Sequence, residues 1–332
     1  MTRLVVTGAA GFLGRHVVAR GLSLGHEVVA VVRHADDARR AGVLPSARVV
    51  QADLGDRAAL SKALEGAELV CHCAAAIPGS ANEDEFWASN VEGTSNLVDA
   101  AMAEGVRRLV YVSSDSVYGD AGTSDAVEDQ PLNPSYFDEG VYPRSKLEGE
   151  HRVLAASRVG RIESVIVRTC LLIGPGRSPG SSFLRYWAGV RVHPLWGGGR
   201  ARISVADVDD VAAAVLLAAT LPAAANRIYN VSGERPVAWR DIVQAIAEAT
   251  GRRHRVLALP GTAALPLATL LHRALSGPAP RWARRFDPMR IRFMVADHAM
   301  DIHRIRSELG YRPVWSLGES VRRTLSAPDQ SS

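Results

Sequence analysis

Apolar and polar positions in the first half of the chain follow a regular alternation of strand-like and helix-like segments. Six short, almost continuously apolar runs are predicted as strands: 3–7, 27–32, 47–51, 69–73, 109–113 and 164–168. Four longer stretches are predicted as helices: 12–24, 57–64, 90–104 and 142–158. Continuously apolar strands separated by helices are typical of a parallel sheet that is covered on both faces. The pattern therefore predicts an α/β fold with a doubly wound parallel sheet.

This alternation ends near residue 172. Two segments that are rich in Gly and Pro are predicted as loops, 173–180 and 193–199. Loops at one end of a parallel sheet commonly form a substrate site. Three further helices are predicted, near 208–219, 239–250 and 302–309. We expect one domain at 1–172, to which some later segments return, then a smaller lobe at 173–326 and a tail at 327–332.

Composition and charge narrow the classes of partner. The chain is 47% apolar and 22% charged, which is ordinary for a soluble protein. Its net charge of +4 comes from scattered arginines rather than one basic stripe, which argues against a nucleic-acid partner. No uncharged apolar run reaches the roughly 18 residues of a membrane span. Residues 257–285 are apolar and basic, but four prolines favour a loop of the lobe over a helix on a membrane surface.

The cysteines and the N-terminal pattern indicate the compartment. Three cysteines, an odd number, argue against a disulfide framework. The chain enters a strand pattern at once, with no leader-like segment before it. We therefore expect a reducing, cytoplasmic setting. Cys71 and Cys73 face one side of their predicted strand and His72 the other, so no metal site is predicted.

A glycine-rich turn follows the first strand and opens the first helix. It reads Thr7-Gly8-Ala9-Ala10-Gly11-Phe12-Leu13-Gly14. Gly8 permits the tight turn, Gly11 lets the backbone approach a pyrophosphate, and Gly14 lets the helix pack against the strand. The helix N-terminus, which includes Phe12 and Leu13, offers free N–H groups and a partial positive charge to phosphates. The turn predicts a dinucleotide-binding site.

The residue after the second strand distinguishes the two nicotinamide cofactors. An acidic side chain there accepts hydrogen bonds from the ribose 2′-OH of NAD, whereas an arginine accommodates the 2′-phosphate of NADP. Arg33 occupies this position, so we predict NADP, with NAD as the alternative and a plain surface arginine as the non-functional interpretation. Asp53 and Leu54 follow the third strand, where they can border the adenine. Asp53 is placed equally well to cap a loop.

A phenol and an ammonium lie four residues apart at the start of the helix at 142–158. Tyr142 and Lys146 share one face of that helix. A lysine cation and an oxidised nicotinamide would both lower the pKa of the tyrosine from its usual value of roughly 10. Ser114, after the fifth strand, can orient a substrate oxygen, although turn-forming serines are also common in loops. These residues predict proton transfer to a carbonyl or from an alcohol.

Together these motifs resemble the extended short-chain dehydrogenase/reductase superfamily, which includes NAD-dependent epimerases and dehydratases. The resemblance covers nearly the whole chain, at Gly8/Gly11/Gly14, 53–54, 72–75, 90–94, 113–119, 142–146, 168–176, 207–210 and 309–313. It implies a Rossmann-type dinucleotide-binding domain at 1–172 and a C-terminal substrate lobe. It implies that Tyr142 is the acid/base, that Lys146 lowers its pKa and holds the nicotinamide ribose, and that Ser114 binds the substrate oxygen. Cofactor-lining positions of the superfamily correspond to Ala74, Ala75 and Asn90.

Some positions depart from particular members of that superfamily. Nucleotide-sugar enzymes usually carry Asn where this chain has Leu171, and they surround a pyrophosphate-gripping arginine, here Arg200, with residues that 201–204 do not retain. Dehydratases follow the active-site hydroxyl with Asp-Glu. Here Asp115 is present but Ser116 replaces the glutamate, so we interpret Asp115 as a loop cap rather than an acid.

The C-terminal part resembles 3β-hydroxysteroid dehydrogenases and dihydroflavonol reductases in its apolar stretch at 257–275 and its ending at 301–313. Four residues are interpreted either as the lining of an apolar substrate site or as the core of the lobe: Phe183, Trp187, Trp196 and Leu267. We predict an NADP-dependent oxidoreductase that interconverts a ketone and a secondary alcohol on a small, largely apolar substrate. The alternatives are an NAD(P)-dependent nucleotide-sugar epimerase or reductase, and a non-catalytic dinucleotide-binding regulator. The helices at 90–104 and 142–158 are candidates for a homodimer interface.

Overall fold

The computed structural model describes residues 2–40, 47–78, 82–119, 123–132, 140–176, 178–277, 286 and 288–327. Its largest sheet has seven parallel strands: β1 (Arg3–Thr7), β2 (Glu27–Val32), β3 (Arg48–Gln51), β4 (Leu69–His72), β5 (Arg108–Ser114), β7 (Glu163–Thr169) and β12 (Ile228–Val231). Their spatial order is β12-β7-β5-β4-β1-β2-β3. This is the doubly wound order of a Rossmann-type sheet, so the predicted fold class is confirmed.

The strand order reverses at β1, which lies between β2 and β4. In open α/β sheets, ligands bind in the crevice outside the carboxyl ends of the strands at such a reversal. The glycine turn follows β1, and residues 73–78 follow β4, so both segments border this crevice. Ser114 is the last residue of β5, which is the next strand along.

Helices cover both faces of the large sheet, since alternate residues of β1 belong to two different buried clusters. One cluster holds Leu4 together with apolar side chains of α1 (Phe12–Ser23) and α8 (Val208–Thr220). The other holds Val5 together with side chains of α3 (Arg57–Leu64), α5 (Gly93–Ala103) and α6 (Val141–Arg158). The adjoining α5 and α6 are the helices for which a dimer role stays a prediction.

Short helices connect some of these elements. α2 (Ala35–Arg40) follows β2, and α4 (Glu83–Trp87) leads into a π-helical turn at Ala88–Glu92. The helix predicted at 90–104 therefore begins as a π turn and becomes regular only at Gly93. Such π segments are frequent at functional sites, and this one contains Asn90.

The C-terminal part adds smaller sheets and a second group of helices. The strands are β6 (Thr123–Ala126), β8 (Leu171–Ile173), β9 (Val192–Trp196), β10 (Arg202–Ile203), β11 (Val205–Asp207), β13 (Val237–Ala238), β14 (Arg255–Leu259) and β15 (His298–Met300). They form a four-stranded sheet, β13-β10-β15-β6, and two pairs, β8–β11 and β9–β14. The helices are α7 (Pro179–Ala188), α9 (Trp239–Thr250), α10 (Ala264–Ser276), α11 (Pro288–Val295), α12 (His303–Leu309) and α13 (Leu317–Ser326).

Two predicted loops contain regular structure instead. The segment 193–199 includes most of β9, which pairs with the distant β14. The stretch 257–285 contains the end of β14 and all of α10, while residues 278–285 lie outside the described part. Pro266 falls in the first turn of α10, where the missing N–H of a proline costs no helical hydrogen bond.

Within the described residues, no helix combines the length and the apolar character that crossing a membrane requires. The division of the chain at residue 172 stays a prediction. The later strand β12 belongs to the large sheet, and the later helix α8 packs against it. Of the predicted tail, only Ala327 is described.

Candidate active site

The glycine turn has the close contacts that the motif predicts. Gly8 has a φ of +65°, and a Cβ added there would lie 2.6 Å from the backbone nitrogen of Ala74. A Cβ on Gly14 would lie 2.1 Å from the carbonyl oxygen of Gly8. Neither neighbour can rotate away, because both are backbone atoms. The turn therefore fits only with glycine at these two positions.

The N-terminus of α1 is suited to binding an anion. Gly11 precedes α1 without a side-chain cap, and no acidic residue stands in the first turn, which includes Phe12 and Leu13. Arg15, which the motif analysis did not single out, adds a cation there, and its Nη2 donates to the carbonyl oxygen of Pro175 at 2.9 Å. The helix dipole and Arg15 act in the same direction, and both favour bound phosphate.

The predicted adenosine-side residues lie along the neighbouring strand ends. Arg33 is exposed just beyond β2. Asp53 is also exposed, and its Oδ1 accepts a hydrogen bond from the Gly55 N–H at 2.8 Å, which is the loop-capping role. A Cβ on Gly93 would lie 2.7 Å from the Cβ of Leu54, so this glycine allows Leu54 to pack against the start of α5.

Asn90 holds the segment that follows β4. Its Oδ1 accepts from the N–H of Ala76 at 2.8 Å, and its Nδ2 donates to the Ala76 carbonyl at 3.2 Å and to Ser145 Oγ at 2.9 Å. The side chain is 1% exposed. Asn90 thereby connects the segment that carries Ala74 and Ala75 to helix α6, which carries Tyr142 and Lys146.

Ser114 and Tyr142 are in direct contact. Ser114 Oγ donates to Asp115 Oδ1 at 3.1 Å and accepts from the N–H of Ser116 at 3.2 Å. It also hydrogen-bonds the phenol of Tyr142. Ser114 rather than Asp115 is the cap of the 3₁₀ turn that follows β5, which corrects the interpretation of Asp115 as a loop cap.

The pKa of Tyr142 differs from the expected direction. Burial raises it to about 12; the hydrogen bond between the phenol and Ser114 opposes this shift, and the charge of Asp115 adds to it. The Lys146 Nζ donates to the carbonyl oxygen of Val112 at 2.7 Å and lies 4.2 Å from the centre of the Tyr111 ring, and its charge is not among the causes of the Tyr142 shift. The expectation of a lowered pKa is wrong for this arrangement.

Lys146 is itself strongly perturbed. It is 2% exposed, and burial lowers the pKa of its ammonium to about 7, against the opposing charge of Glu150. Glu150 stands one turn further along α6 and forms a buried ion pair with Arg168 at 2.7 Å. Groups with strongly shifted pKa values cluster at functional sites. Tyr142 and Lys146, both on α6, form such a pair here.

The aromatic residues of the lobe form its core. Phe183 lies against Trp187 with ring centroids 4.3 Å apart, and both contact Trp239. Trp196 is 8% exposed within a separate buried cluster, and Leu267 is 41% exposed on α10. These side chains do not converge on one cavity, so the structure favours the core interpretation over a shared apolar lining.

Arg200 borders an open pocket of about 320 Å³. The other lining residues are Gly197, Gly198 and 258–261. The side chain of Arg200, for which the resemblance to nucleotide-sugar enzymes implies a pyrophosphate contact, is exposed. Across the described residues, no cluster of three or more His, Cys, Asp or Glu side chains is arranged to bind a metal ion.

Comparison with known proteins identifies the family of this chain. The model of the NAD dependent epimerase/dehydratase family matches residues 4–232. The chain is 28% identical to 3beta-hydroxysteroid-dehydrogenase/decarboxylase isoform 1 of Arabidopsis thaliana, covering 97% of this chain and 79% of that protein. It is 29% identical to 2-alkyl-3-oxoalkanoate reductase of Stenotrophomonas maltophilia, covering 97% and 98%. The structure of MoeE5 in complex with UDP-glucuronic acid and NAD matches with a TM-score of 0.74 and 25% identity, covering 97% of both chains. The predicted family is confirmed.

Proposed function

This chain belongs to the NAD-dependent epimerase/dehydratase family, and we propose that it is the kind of member that interconverts a ketone and a secondary alcohol on a small, largely apolar molecule. The observation that carries the proposal is the contact between Tyr142 and Ser114 at the end of β5. That contact lies one strand away from the crevice bordered by the glycine turn. Carbonyl reduction requires a proton donor near a dinucleotide site, and here only β4 separates the strand ends that carry them.

Three residues of the chain would act on the substrate oxygen, directly or through a neighbour. The nicotinamide, when bound, supplies or accepts the hydride. Tyr142 gives the proton in the reduction direction, and its pKa of about 12 keeps it protonated at neutral pH. Ser114 orients the oxygen. Asp115 holds the Ser114 hydroxyl in place by accepting its proton in a hydrogen bond.

The residues present fit a dinucleotide. The uncapped N-terminus of α1 would bind the pyrophosphate. Because Gly8 has no side chain, the backbone of the turn could lie close to the phosphates. Lys146 and the Asn90-held segment of Ala74 and Ala75 would face the nicotinamide ribose, while Asp53 and Leu54 would border the adenine. We propose NADP as the preferred cofactor because Arg33 is exposed at the end of β2, where a 2′-phosphate would lie.

Two relatives support an apolar carbonyl substrate. Their names specify a 3beta-hydroxysteroid and a 2-alkyl-3-oxoalkanoate, both largely apolar molecules with one reacting oxygen. Leu171 and the changed residues around Arg200 point the same way, because they remove contacts that nucleotide-sugar enzymes use. Compounds of these two classes are therefore the first substrates to assay.

Tyr142→Phe is the direct test of the chemistry. With NADPH and a panel of 3-oxosteroids and 2-alkyl-3-oxoalkanoates, the variant should lose at least about a hundredfold in kcat and still bind NADPH. Tyr186→Phe, an exposed tyrosine on α7, is the matched control and should keep full activity. Turnover of Tyr142→Phe at the wild-type rate would refute the assignment.

Arg33→Ala tests the choice of cofactor separately. We expect the KM for NADPH to rise while the KM for NADH changes little, because only the 2′-phosphate loses a partner. A wild-type protein that prefers NADH would overturn the NADP proposal and leave the reaction class intact.

A nucleotide-sugar epimerase or reductase is the second candidate. The similarity to MoeE5, whose structure holds UDP-glucuronic acid, and the exposed Arg200 at an open pocket favour it. A ligand that binds the native state raises the melting temperature by mass action. Stabilisation by UDP-sugars that is lost in Arg200→Ala would make this candidate the leading one, and no stabilisation would remove it.

A further inference from the structure

A fully buried histidine joins the two segments that border the crevice. His72 is the last residue of β4 and has no exposed surface. Its Nδ1 lies 2.7 Å from Thr7 Oγ1, at the end of β1, and its Nε2 lies 3.0 Å from Thr94 Oγ1, in the first turn of α5. Neither contact belongs to the proton transfer proposed above.

The partners of the two threonines favour one direction for each bond, with the Tyr111 phenol as a further hydrogen-bond partner of Thr94. Thr94 Oγ1 donates its only proton to the carbonyl oxygen of Asn90 at 2.7 Å, so it can only accept from His72. Nε2 of His72 must therefore carry a proton. Thr7 Oγ1 accepts from the N–H of Ala74 at 3.4 Å and keeps its own proton for Nδ1 of His72. The reverse tautomer would leave the Asn90 carbonyl without this close donor.

The chain of bonds runs from one cofactor-lining segment to the other. It passes from the Ala74 N–H through Thr7, His72 and Thr94 to the Asn90 carbonyl. The side chain of Asn90 then grips both polar backbone groups of Ala76. Residues 74–76 are thus held at both ends by groups that His72 orients, and Thr7 directly precedes Gly8.

We propose that His72 is a positioning residue for the dinucleotide site: a neutral ring, fixed with its proton on Nε2, that sets residues 74–76 and the glycine turn at their working separation. The proposal rests on the proposed function, because it assumes that a dinucleotide binds there. The role needs an acceptor facing Thr7 and a donor facing Thr94, and a neutral imidazole ring supplies both in one rigid plane.

The surroundings keep this ring neutral. Burial lowers the pKa of His72 to about 3, and the nearby Lys146 cation acts in the same direction. The Tyr111 ring packs beside it, with centroids 5.5 Å apart. The ring should therefore neither take up a second proton nor change tautomer across the physiological pH range.

Nitrogen NMR tests the tautomer without any assay of activity. Long-range ¹H–¹⁵N spectra of the ¹⁵N-histidine-labelled full chain, with His72 assigned from the spectrum of His72→Asn, should show the neutral Nε2–H form. That form should persist from about pH 8 to about pH 5. A proton on Nδ1, or titration within this range, would overturn the proposal.

Dinucleotide binding tests the positioning role. Thr7→Val and Thr94→Val keep the side-chain shape and remove the hydroxyl that bonds His72, together with its second bond to Ala74 or to Asn90. Each should therefore raise the Kd for NADPH about fivefold. At saturating NADPH, kcat should stay within about twofold, because the Tyr142–Ser114 contact is untouched. Thr324→Val, which removes a buried hydroxyl on the distant α13, is the matched control and should not change the Kd.

Histidine variants provide a second arm. In His72→Asn the amide oxygen can still accept from Thr7, but the bond to Thr94 is lost. This variant should raise the Kd no more than Thr94→Val does, because Thr94→Val also loses the bond to the Asn90 carbonyl. Combining the two should add nothing further, because the same bond is already lost. A wild-type Kd in both threonine variants would overturn the positioning role while leaving the proposed function standing. A wild-type protein that binds neither NADPH nor NADH would overturn the proposed function, and the positioning role with it.

Discussion

Lys146 is buried with its ammonium against the Val112 carbonyl, and Lys146→Met should stabilise the protein at low pH. The ordinary pKa of 10.5 applies to the unfolded chain, and burial lowers it to about 7 in the fold. Between these two values the unfolded chain binds a proton that the native protein does not. Native stability should therefore rise with pH across this window and lack that contribution below it.

The size of the effect follows from the two pKa values. For this reason the wild-type protein should be about 2.5 kcal/mol less stable at pH 6, where native Lys146 is protonated, than at pH 9, where it is not. Methionine binds no proton at either pH and therefore has no such difference. The stability gained by Lys146→Met should thus be about 2.5 kcal/mol larger at pH 6 than at pH 9. Other titrating groups are common to both proteins and cancel in the comparison.

Urea unfolding of both proteins at the two pH values measures this difference. The chain's only other lysine, Lys62, is exposed on α3, so Lys62→Met is the matched control for replacing a lysine by methionine. Lys146→Met should also abolish turnover, so that one substitution would raise stability and remove activity. An equal effect of Lys146→Met at both pH values would mean that the buried lysine stays charged at pH 9, and the reasoning would fail.

Two other substitutions test the parts of the fold that position the site. Gly14→Ala should raise the Kd for the dinucleotide more than tenfold and cost about 1–3 kcal/mol of stability, because its Cβ would meet a backbone oxygen. Gly318→Ala, with open space around it, is the control. It should change neither the Kd in the titration nor the stability in the melting experiment. Arg108→Ala should lower the free energy of unfolding by about 3–5 kcal/mol, because buried Arg108 donates to three carbonyl oxygens at the end of α8 and pairs with Glu163. Arg107→Ala, which removes an exposed pair with the same glutamate, should cost less than about 1 kcal/mol in the same urea experiment; equal losses would refute the burial argument.

Local patterns predicted the large sheet well for a physical reason. Parallel strands buried on both faces must be apolar throughout, and the glycine turn needs its residue types at fixed spacing, so both features are visible in a short window. The β9–β14 pair was missed because it joins segments some sixty residues apart. Pro194 and three glycines gave 193–199 the local signature of a loop, and only tertiary pairing overrides it.

The candidate site shows the same division between local and tertiary information. The spacing of Tyr142 and Lys146 predicted that they share a helix, and they do. The direction of the Tyr142 pKa shift depends on burial and on where the Lys146 ammonium points, which spacing does not determine. The aromatic residues of the lobe were ambiguous for a related reason, since the same residue types build a core and line a pocket.

Strand order explains why the two halves of the site lie at a workable distance. The glycine turn ends β1 and Ser114 ends β5, with only β4 between them. Neighbouring strands are about 4.8 Å apart, so the turn and the hydroxyl are separated by roughly 10 Å across the sheet edge. The segment that follows β4 fills this interval, and it is the segment that His72 and Asn90 hold. A small error in its position would change the separation of the phosphate site and the proton donor. The polar residues that fix it should therefore affect dinucleotide binding without touching the substrate themselves.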